Sequence, residues 1–415
     1  MAGIEPARGF PLQILSLMRL PISPHPPHIK DTNIATYCFY AVFRFDLSMP
    51  RPLRPSTFPP GRVEGLNTNG WPRGIQIKPA NLGVATPHPH AVGKSMSNSD
   101  ANPSGSSPRD FPHCPGHPVL EAIPARVTEL GEGLLIRRAL PTRQRRMVGA
   151  WCFLDHAGPL DYGPGAGMRV GPHPHIGLQT FTWMIEGEIL HRDSLGYEQL
   201  IRPGQVNLMT AGRGIVHAED SVNGEAGRLH AAQLWIALPE AERHRAPAFE
   251  HHPRLPVIER DGLVITLLAG TALGETSPAR IYSPLVGMDL HAHGSVATGI
   301  PLDPAFEYAA LSLRGEATVA GTLLAPGTLL YLGSGRDSLA FAAAAEAQVL
   351  LLGGEPFAEE ILMWWNFVAR TPAEIEAATR EWNSGRGFGE VKGSPSPRMP
   401  APDMAGLRAR TVKRD

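Results

Sequence analysis

The chain has 415 residues, enough for two or three domains with buried cores, and its 38 Lys+Arg balance 39 Asp+Glu, which excludes a nucleic-acid-coating or polybasic membrane protein. Gly 44 and Pro 42 together make about a fifth of the chain, which disfavours an all-helical bundle and suits short strands joined by turns. Three scattered cysteines, Cys38, Cys114 and Cys152, fit neither a disulfide framework nor a thiolate metal site and point to a reducing cytoplasm.

Twenty of the 42 prolines fall in the first 120 residues, more than double the density of the remainder. Phe10 to Leu20 is broken by Pro11 and Arg19 and is followed by no small-residue cleavage site. Tyr37 to Phe43 is too short to span a bilayer. Around Met96 the chain becomes Ser-Met-Ser-Asn-Ser-Asp-Ala-Asn-Pro-Ser-Gly-Ser-Ser, a polar run with nothing to bury. Residues 1–117 are therefore expected to be a disordered extension, with Met96 as the true start. The mass of the native protein checks that start.

From Pro118 onward short β segments recur. Gly133-Leu-Leu-Ile-Arg-Arg-Ala, Gln179-Thr-Phe-Thr-Trp-Met-Ile-Glu, Glu188-Ile-Leu-His-Arg-Asp and Leu234-Trp-Ile-Ala-Leu are bounded by Gly, Pro, Asn and Asp. One helix is predicted near the end, with Thr371 as N-cap, Pro372 at the first helical position and a stop near Gly385.

The two halves repeat. Ile185-Glu-Gly-Glu-Ile matches Leu313-Arg-Gly-Glu-Ala at an offset of 128 (187 to 315), and Pro203-Gly-Gln and Ala211-Gly-Arg-Gly match Pro326-Gly-Thr and Ser334-Gly-Arg-Asp at 123 (203 to 326). The pattern predicts an all-β protein of two small antiparallel barrels. Domains are expected at 118–238 and 239–401, with a disordered tail at 402–415. Carried across at these offsets, His173 falls on Pro301, His175 on Asp303, His217 on Ala340 and Glu219 on Ala342. The framework of turns survives in the second copy while four polar groups vanish, so the framework does not need them.

His173-Pro-His175 puts two imidazoles on one face of a strand, and His217-Ala-Glu219 repeats that spacing 42 residues after His175. If the strands are neighbours, three imidazoles and a carboxylate converge. Such nitrogen and oxygen donors suit Fe(II), Mn(II), Co(II), Ni(II), Cu(II) or Zn(II). Pro87-His-Pro-His90 carries the same letters without a second pair and is read as solvated chain. His291-Ala-His293 precedes the ligand positions of the repeat and is assigned to solvent or turn contacts. His156, His191, His230, His244, His251 and His252 are scattered and are assigned to surface or core packing, as are Trp183 and Met184 to the core. Arg213 recurs as Arg336 in the second half, which marks it as framework.

These residues resemble the pirin family of the cupin superfamily. The resemblance runs from Arg146-Met-Val-Gly-Ala-Trp-Cys-Phe-Leu-Asp-His-Ala-Gly-Pro159 through Pro172-His-Pro-His-Ile-Gly177, His191-Arg-Asp-Ser-Leu-Gly196 and Met209-Thr-Ala-Gly-Arg-Gly-Ile-Val-His-Ala-Glu219, resuming at Leu351-Leu-Gly-Gly-Glu-Pro356 and Met363-Trp-Trp-Asn-Phe367. It covers roughly Pro118 to Ala401. It implies two tandem cupin jelly-roll barrels packed face to face, one iron in the first and none in the second, with the C-terminal helix reaching back to the first. By motif position the metal ligands are His173, His175, His217 and Glu219. Gln179 stands where many cupins carry a glutamate four residues after the second histidine, and offers an amide to orient water or substrate.

Bacterial pirin-like proteins look like quercetin 2,3-dioxygenases, while the animal relatives resemble nuclear iron-dependent transcription cofactors. The resemblance thus implies an Fe(II) dioxygenase acting on a flavonol-like substrate and dioxygen, with Glu219 as catalytic base, as a cytoplasmic monomer. The alternative is a non-catalytic, redox-responsive iron protein working through a protein partner. A third reading is a sugar- or metabolite-binding cupin. No helix-turn-helix or basic stripe is present for direct nucleic-acid contact, and no segment is apolar enough for a membrane span.

Overall fold

The computed structural model describes residues 104–106, 114, 116–130, 134–222, 226–402 and 404. The expectations for the Met96 start, for Pro87 to His90 and for most of the tail lie outside them. Among the described residues no helix is long and apolar enough to cross a membrane.

Each half forms a seven-stranded sheet facing a four-stranded one. In the first half the large sheet runs Ala248–His252, Val206–Thr210, Leu178–Glu186, Gly227–Ala237, Trp151–Tyr162, Leu134–Leu140, Arg126–Leu130, and the small one Arg169–His175, Ile215–Ser221, Ile189–Asp193, Glu198–Ile201. The second half repeats the small sheet as Val296–Pro301, Ser338–Ala343, Ala317–Val319, Thr322–Leu324. The predicted strands and the repeat are present.

Period-two alternation on the large sheets builds two cores at once. Phe181, Trp183, Leu208 and Leu234 turn outward from the first barrel and pack with Leu268, Leu311, Leu329 and Leu350 of the second into one shared cluster. Trp151, fully buried there, donates its indole N–H to the carbonyls of Val286 (3.3 Å) and Gly353 (3.2 Å) and meets Phe181 edge-on.

The interiors differ. The second barrel is filled by one continuous apolar cluster that includes Ala310, Phe341 and Leu351. In the first, Met184, Leu229 and Ala231 belong to one cluster while Leu178, Ile215, Trp235 and Ala237 belong to another. Between them along the same strands lie Thr182, Gln233, His217 and Glu219, all buried. Thr182 pairs with Gln233 across the sheet, and Ala310 with Leu351 at the corresponding place in the second barrel. A polar belt thus interrupts one barrel and is replaced by hydrocarbon in the other.

Three expectations need correction. In the small sheets His217 pairs with His173 and Ala340 with Gly299, so His173 corresponds to Gly299 and His175, opposite Ile215, to Pro301, opposite Ser338. The offset there is 126 (299 minus 173), not 128, because the turn after Pro301 is two residues longer than the one after His175. The two histidines are still lost, now to Gly and Pro. Next, Pro118–Pro124, expected in the first domain, pairs with Thr328–Gly333 of the second barrel. Finally, the extension expected to be disordered through residue 117 contributes Ser104–Ser106, which pair with Ile361–Trp364. Such edge pairing needs only main-chain donors and acceptors, so apolar periodicity does not announce it.

The helix Pro372–Asn383 begins with a capping box. The Glu374 amide donates to Thr371 Oγ1 (3.3 Å) and the Thr371 amide to Glu374 Oε2 (3.1 Å). From its buried face, Ile375, Ala378 and Trp382 lie in a cluster with Val216 and Ala218, the outward-facing neighbours of His217 and Glu219. The helix therefore backs the strand that carries two site residues, as the resemblance implied.

Candidate metal centre

Arg169–His175 and Ile215–Ser221 pair antiparallel with His173 opposite His217, and a bulge follows between His217 and Glu219. Donor atoms of His173, His175 and His217, all buried, lie within 4.8 Å of one another. The three sequence-predicted histidines are thus together. Glu219 falls in an adjoining group with His217 and His191 and is not within that span of all three.

Hydrogen bonding fixes the ring tautomers. His173 Nδ1–H donates to the Gly171 carbonyl (2.8 Å), and His175 Nδ1–H to the Asn366 carbonyl (3.1 Å), since carbonyls only accept. His191 Nε2–H donates to Asp193 Oδ2 (3.2 Å), leaving its Nδ1 to accept from His217 Nδ1–H (3.4 Å). Each of His173, His175 and His217 consequently presents a bare Nε2. The Nε2 atoms of His175 and His217 face each other at 3.1 Å, two lone pairs with no proton between them. A cation between them turns that repulsion into coordination, because donors about 2.1 Å from one ion stand about 3 Å apart. The donor set fits a divalent transition metal.

The Asn366 carbonyl comes from the turn joining Ile361–Trp364 to Phe367–Ala369, where Trp365 has φ +51°. This turn docks beside His175. Val368 N–H donates to the Ile176 carbonyl (3.1 Å), and a Cβ on Gly177 (φ +68°) would sit 2.0 Å from the Val368 oxygen. Only glycine permits that approach.

Sequence reasoning missed His191, Asp193 and Asn366, and the structure corrects one assignment. The signal for the first two was available: His191 and Asp193 stand at i and i+2 on a predicted strand, the spacing of the other two pairs. His191 also stacks on Phe249 (4.3 Å, 13°). Gln179, by contrast, lies on the outer face with Phe181 and Trp183, where its amide donates to Thr210 Oγ1 (2.9 Å) and the Arg280 carbonyl (3.0 Å). It cannot orient a ligand in the barrel interior, because strand alternation turns it the other way. Arg336 donates to the Leu332 and Val119 carbonyls, while Arg213 lines a cleft of about 180 Å³ with Gly212, Gly177 and Phe388.

The tautomer chain puts His191 behind His217, where it accepts the Nδ1 proton. His191→Ala is expected to weaken metal binding by about 10–100-fold, and His191→Gln, which keeps an acceptor, to recover part of it; competition with a chromophoric chelator measures both.

Burial dominates the electrostatics. It pushes His173 and His230 down to about 4 and His156 to about 3, and holds His175 and His217 well below the ordinary 6.5. Glu219 is pushed up to about 7 by burial and then by Asp220, and Asp289 to about 7 by burial. For the histidines the folded value is depressed, so their stabilisation is complete above pH 6.5 and is lost as pH falls through about 4. For the two carboxyls the folded value is raised, so theirs is complete below the ordinary values of 4.5 and 3.8 and is lost as pH rises through 7. With His191, His251 and His291 also lowered, and Asp155, Asp220 and Glu307 also raised, eight histidines stand against five carboxyls. The metal-free chain is expected to melt at progressively lower temperature from pH 6.5 to pH 4, and a flat profile in calorimetry contradicts this.

Comparison with known proteins agrees with this architecture. The Pirin family profile matches residues 133–236 and that of the Pirin C-terminal cupin domain residues 285–389. The chain is 54% identical over 310 residues to the "Putative quercetin 2,3-dioxygenase" of Pseudomonas aeruginosa, covering 98% of it and 74% of this chain. It is 39% identical over 269 residues to a pirin-like protein of Caulobacter vibrioides, covering 92% of that protein and 63% of this chain. The crystal structure of a quercetin 2,3-dioxygenase from Acinetobacter baumannii superposes with a TM-score of 0.67 at 51% identity, covering 95% of that chain and 68% of this one. With its two stacked barrels and a buried group of three histidines inside the first, the chain belongs to the pirin family of bicupins.

Proposed function

We propose that the protein is a mononuclear Fe(II) dioxygenase that opens flavonol-type rings, a cytoplasmic enzyme with quercetin as the representative substrate. The observation that carries the reading is the set of three imidazoles whose Nδ1 protons are all engaged, so that three Nε2 atoms are offered to one ion. The names borne by the relatives at 54% and 51% identity support the substrate class.

When bound, a divalent metal would supply Lewis acidity that lowers the pKa of an enol substrate. His173, His175 and His217 would hold the metal, with Glu219, which adjoins His217, as the fourth ligand. Glu219, the one carboxylate among these four, accepts the enol proton. Trp235, stacked on Phe153 (4.0 Å) and edge-on to His175 (5.1 Å), keeps water from the ligand rings on one side, and Phe249 covers His191 on another. The overall reaction consumes one dioxygen, inserts both oxygen atoms into the opened ring product and releases the excised carbon as carbon monoxide.

The test is oxygen uptake and carbon monoxide release on adding quercetin to Fe(II)-loaded protein, beside a His175→Ala control. Uptake abolished by the substitution is expected. No uptake from protein holding one metal per chain contradicts the enzyme reading and favours the redox-responsive binder.

A further inference from the structure

The second barrel carries a separate cluster of donors. Along Leu285–Ala292, Val286, Met288, Leu290 and Ala292 fill the interior, so His291 points to the opposite face. His293 follows at i+2, with ring centroids 4.3 Å apart. Sequence spacing gave this pair no third partner. The fold supplies Glu346, 53 residues beyond His293, because the turn before Gln348–Gly354 is pinned to the end of this strand: Glu346 N–H donates to the Ala292 carbonyl (2.7 Å) and Ala292 N–H to the Ala347 carbonyl (2.9 Å).

One donor atom from each of His291, His293 and Glu346 lies within 4.8 Å of the others. His291 Nε2 is shut off from solvent and makes no hydrogen bond, and it stands 3.9 Å from Glu346 Oε2. That distance is too long for a hydrogen bond but shorter than about 4.2 Å, twice an ordinary zinc–nitrogen bond. Glu346 is also held at φ +65°, a conformation that non-glycine residues keep only where their surroundings impose it.

We propose that His291, His293 and Glu346 form a second, exchangeable binding site for a divalent transition cation of the zinc class, at the rim of the barrel that lacks an interior metal centre. Two imidazole nitrogens and one carboxylate oxygen make three of the four positions of a tetrahedral zinc site, and His293 and Glu346, both exposed, leave the fourth to water. A bound ion ties the strand end to the facing turn, two segments otherwise joined there by main-chain hydrogen bonds. The site is independent of the centre in the first barrel.

Equilibrium dialysis of the full chain against Zn(II) at tens of micromolar, with total zinc measured, tests this. Two ions per chain are expected for the native protein, and one for His291→Ala/His293→Ala. Because His293 is exposed and His291 partly so, the double variant is expected to fold. His175→Ala is expected to keep the rim ion and the thermal stabilisation that it brings, so loss of the first centre and loss of the second are read separately. Glu346→Gln, which keeps the side-chain shape, is expected to weaken the second ion at least tenfold. One ion in the native chain, or a second ion that survives the double substitution because other histidines hold it, overturns the proposal.

Discussion

Replacing His175 with alanine is expected to lower metal affinity by more than the 10–100-fold that loss of an outer hydrogen-bond partner costs, and to reduce flavonol-dependent oxygen uptake to background. The reason is positional. His175 is locked by the Asn366 carbonyl and aimed at His217, so its loss removes one of the three Nε2 donors. Metal-free protein should behave differently. The substitution there removes one of two facing lone pairs and a desolvated ring, so the metal-free variant should melt close to the metal-free native chain. The gap between the two should open only when metal is added, because an ion that binds only the folded state stabilises it in proportion to the logarithm of its affinity. Thermal melts with and without Fe(II) or a redox-inert substitute such as Zn(II) measure both effects. A large deficit in the metal-free state would mean that His175 serves packing rather than coordination.

The second large effect lies in the core shared by the barrels. Trp151→Ala is expected to cost about 3–5 kcal/mol, the range for emptying a fully buried large aromatic site, with two carbonyls also left without their indole donor. Trp151→Phe keeps most of the volume and loses the N–H, so about 1 kcal/mol is expected. Chemical denaturation followed by far-ultraviolet circular dichroism and by tryptophan fluorescence checks the order. If the alanine variant unfolds within experimental error of the native chain, the two seven-stranded sheets do not depend on one another for stability.

Much of the architecture was legible because turns and strands have local chemistry. The strand segments near 133, 179, 188 and 234 and the Thr371-capped helix were readable from alternation and punctuation, and the repeat from its Gly-Glu and Pro-Gly turns. Errors arose where the determining interaction is remote or belongs to the backbone. Two extra residues in the turn after Pro301 displaced the superposition without leaving a motif. The strand Pro118–Pro124 chose a partner some 200 residues away, at Thr328–Gly333, which no local pattern specifies.

The same division applies to the site. His173, His175 and His217 were found because imidazoles at i and i+2 are conspicuous, and the first barrel's polar belt is visible in retrospect as Thr182 and Gln233 set against Ala310 and Leu351. Gln179 was placed on the wrong face by reasoning from its distance along the chain, when strand alternation puts it on the face of Phe181 and Trp183. Asn366 contributes a main-chain carbonyl, which has no residue-type signature, and its side chain would not have marked it. Glu346 joins His291 and His293 only through the pairing of two distant turns.

The most direct test of the central claim, that three imidazoles and Glu219 hold a single metal inside the first barrel, is X-ray absorption at the iron edge on full-length protein loaded anaerobically with one Fe(II). A first shell of nitrogen and oxygen only, with the outer-shell scattering of three imidazoles, is the predicted result, collapsing in the His175→Ala/His217→Ala double variant. A sulfur ligand, or an imidazole signal that persists when both histidines are gone, would place the metal elsewhere and contradict the account.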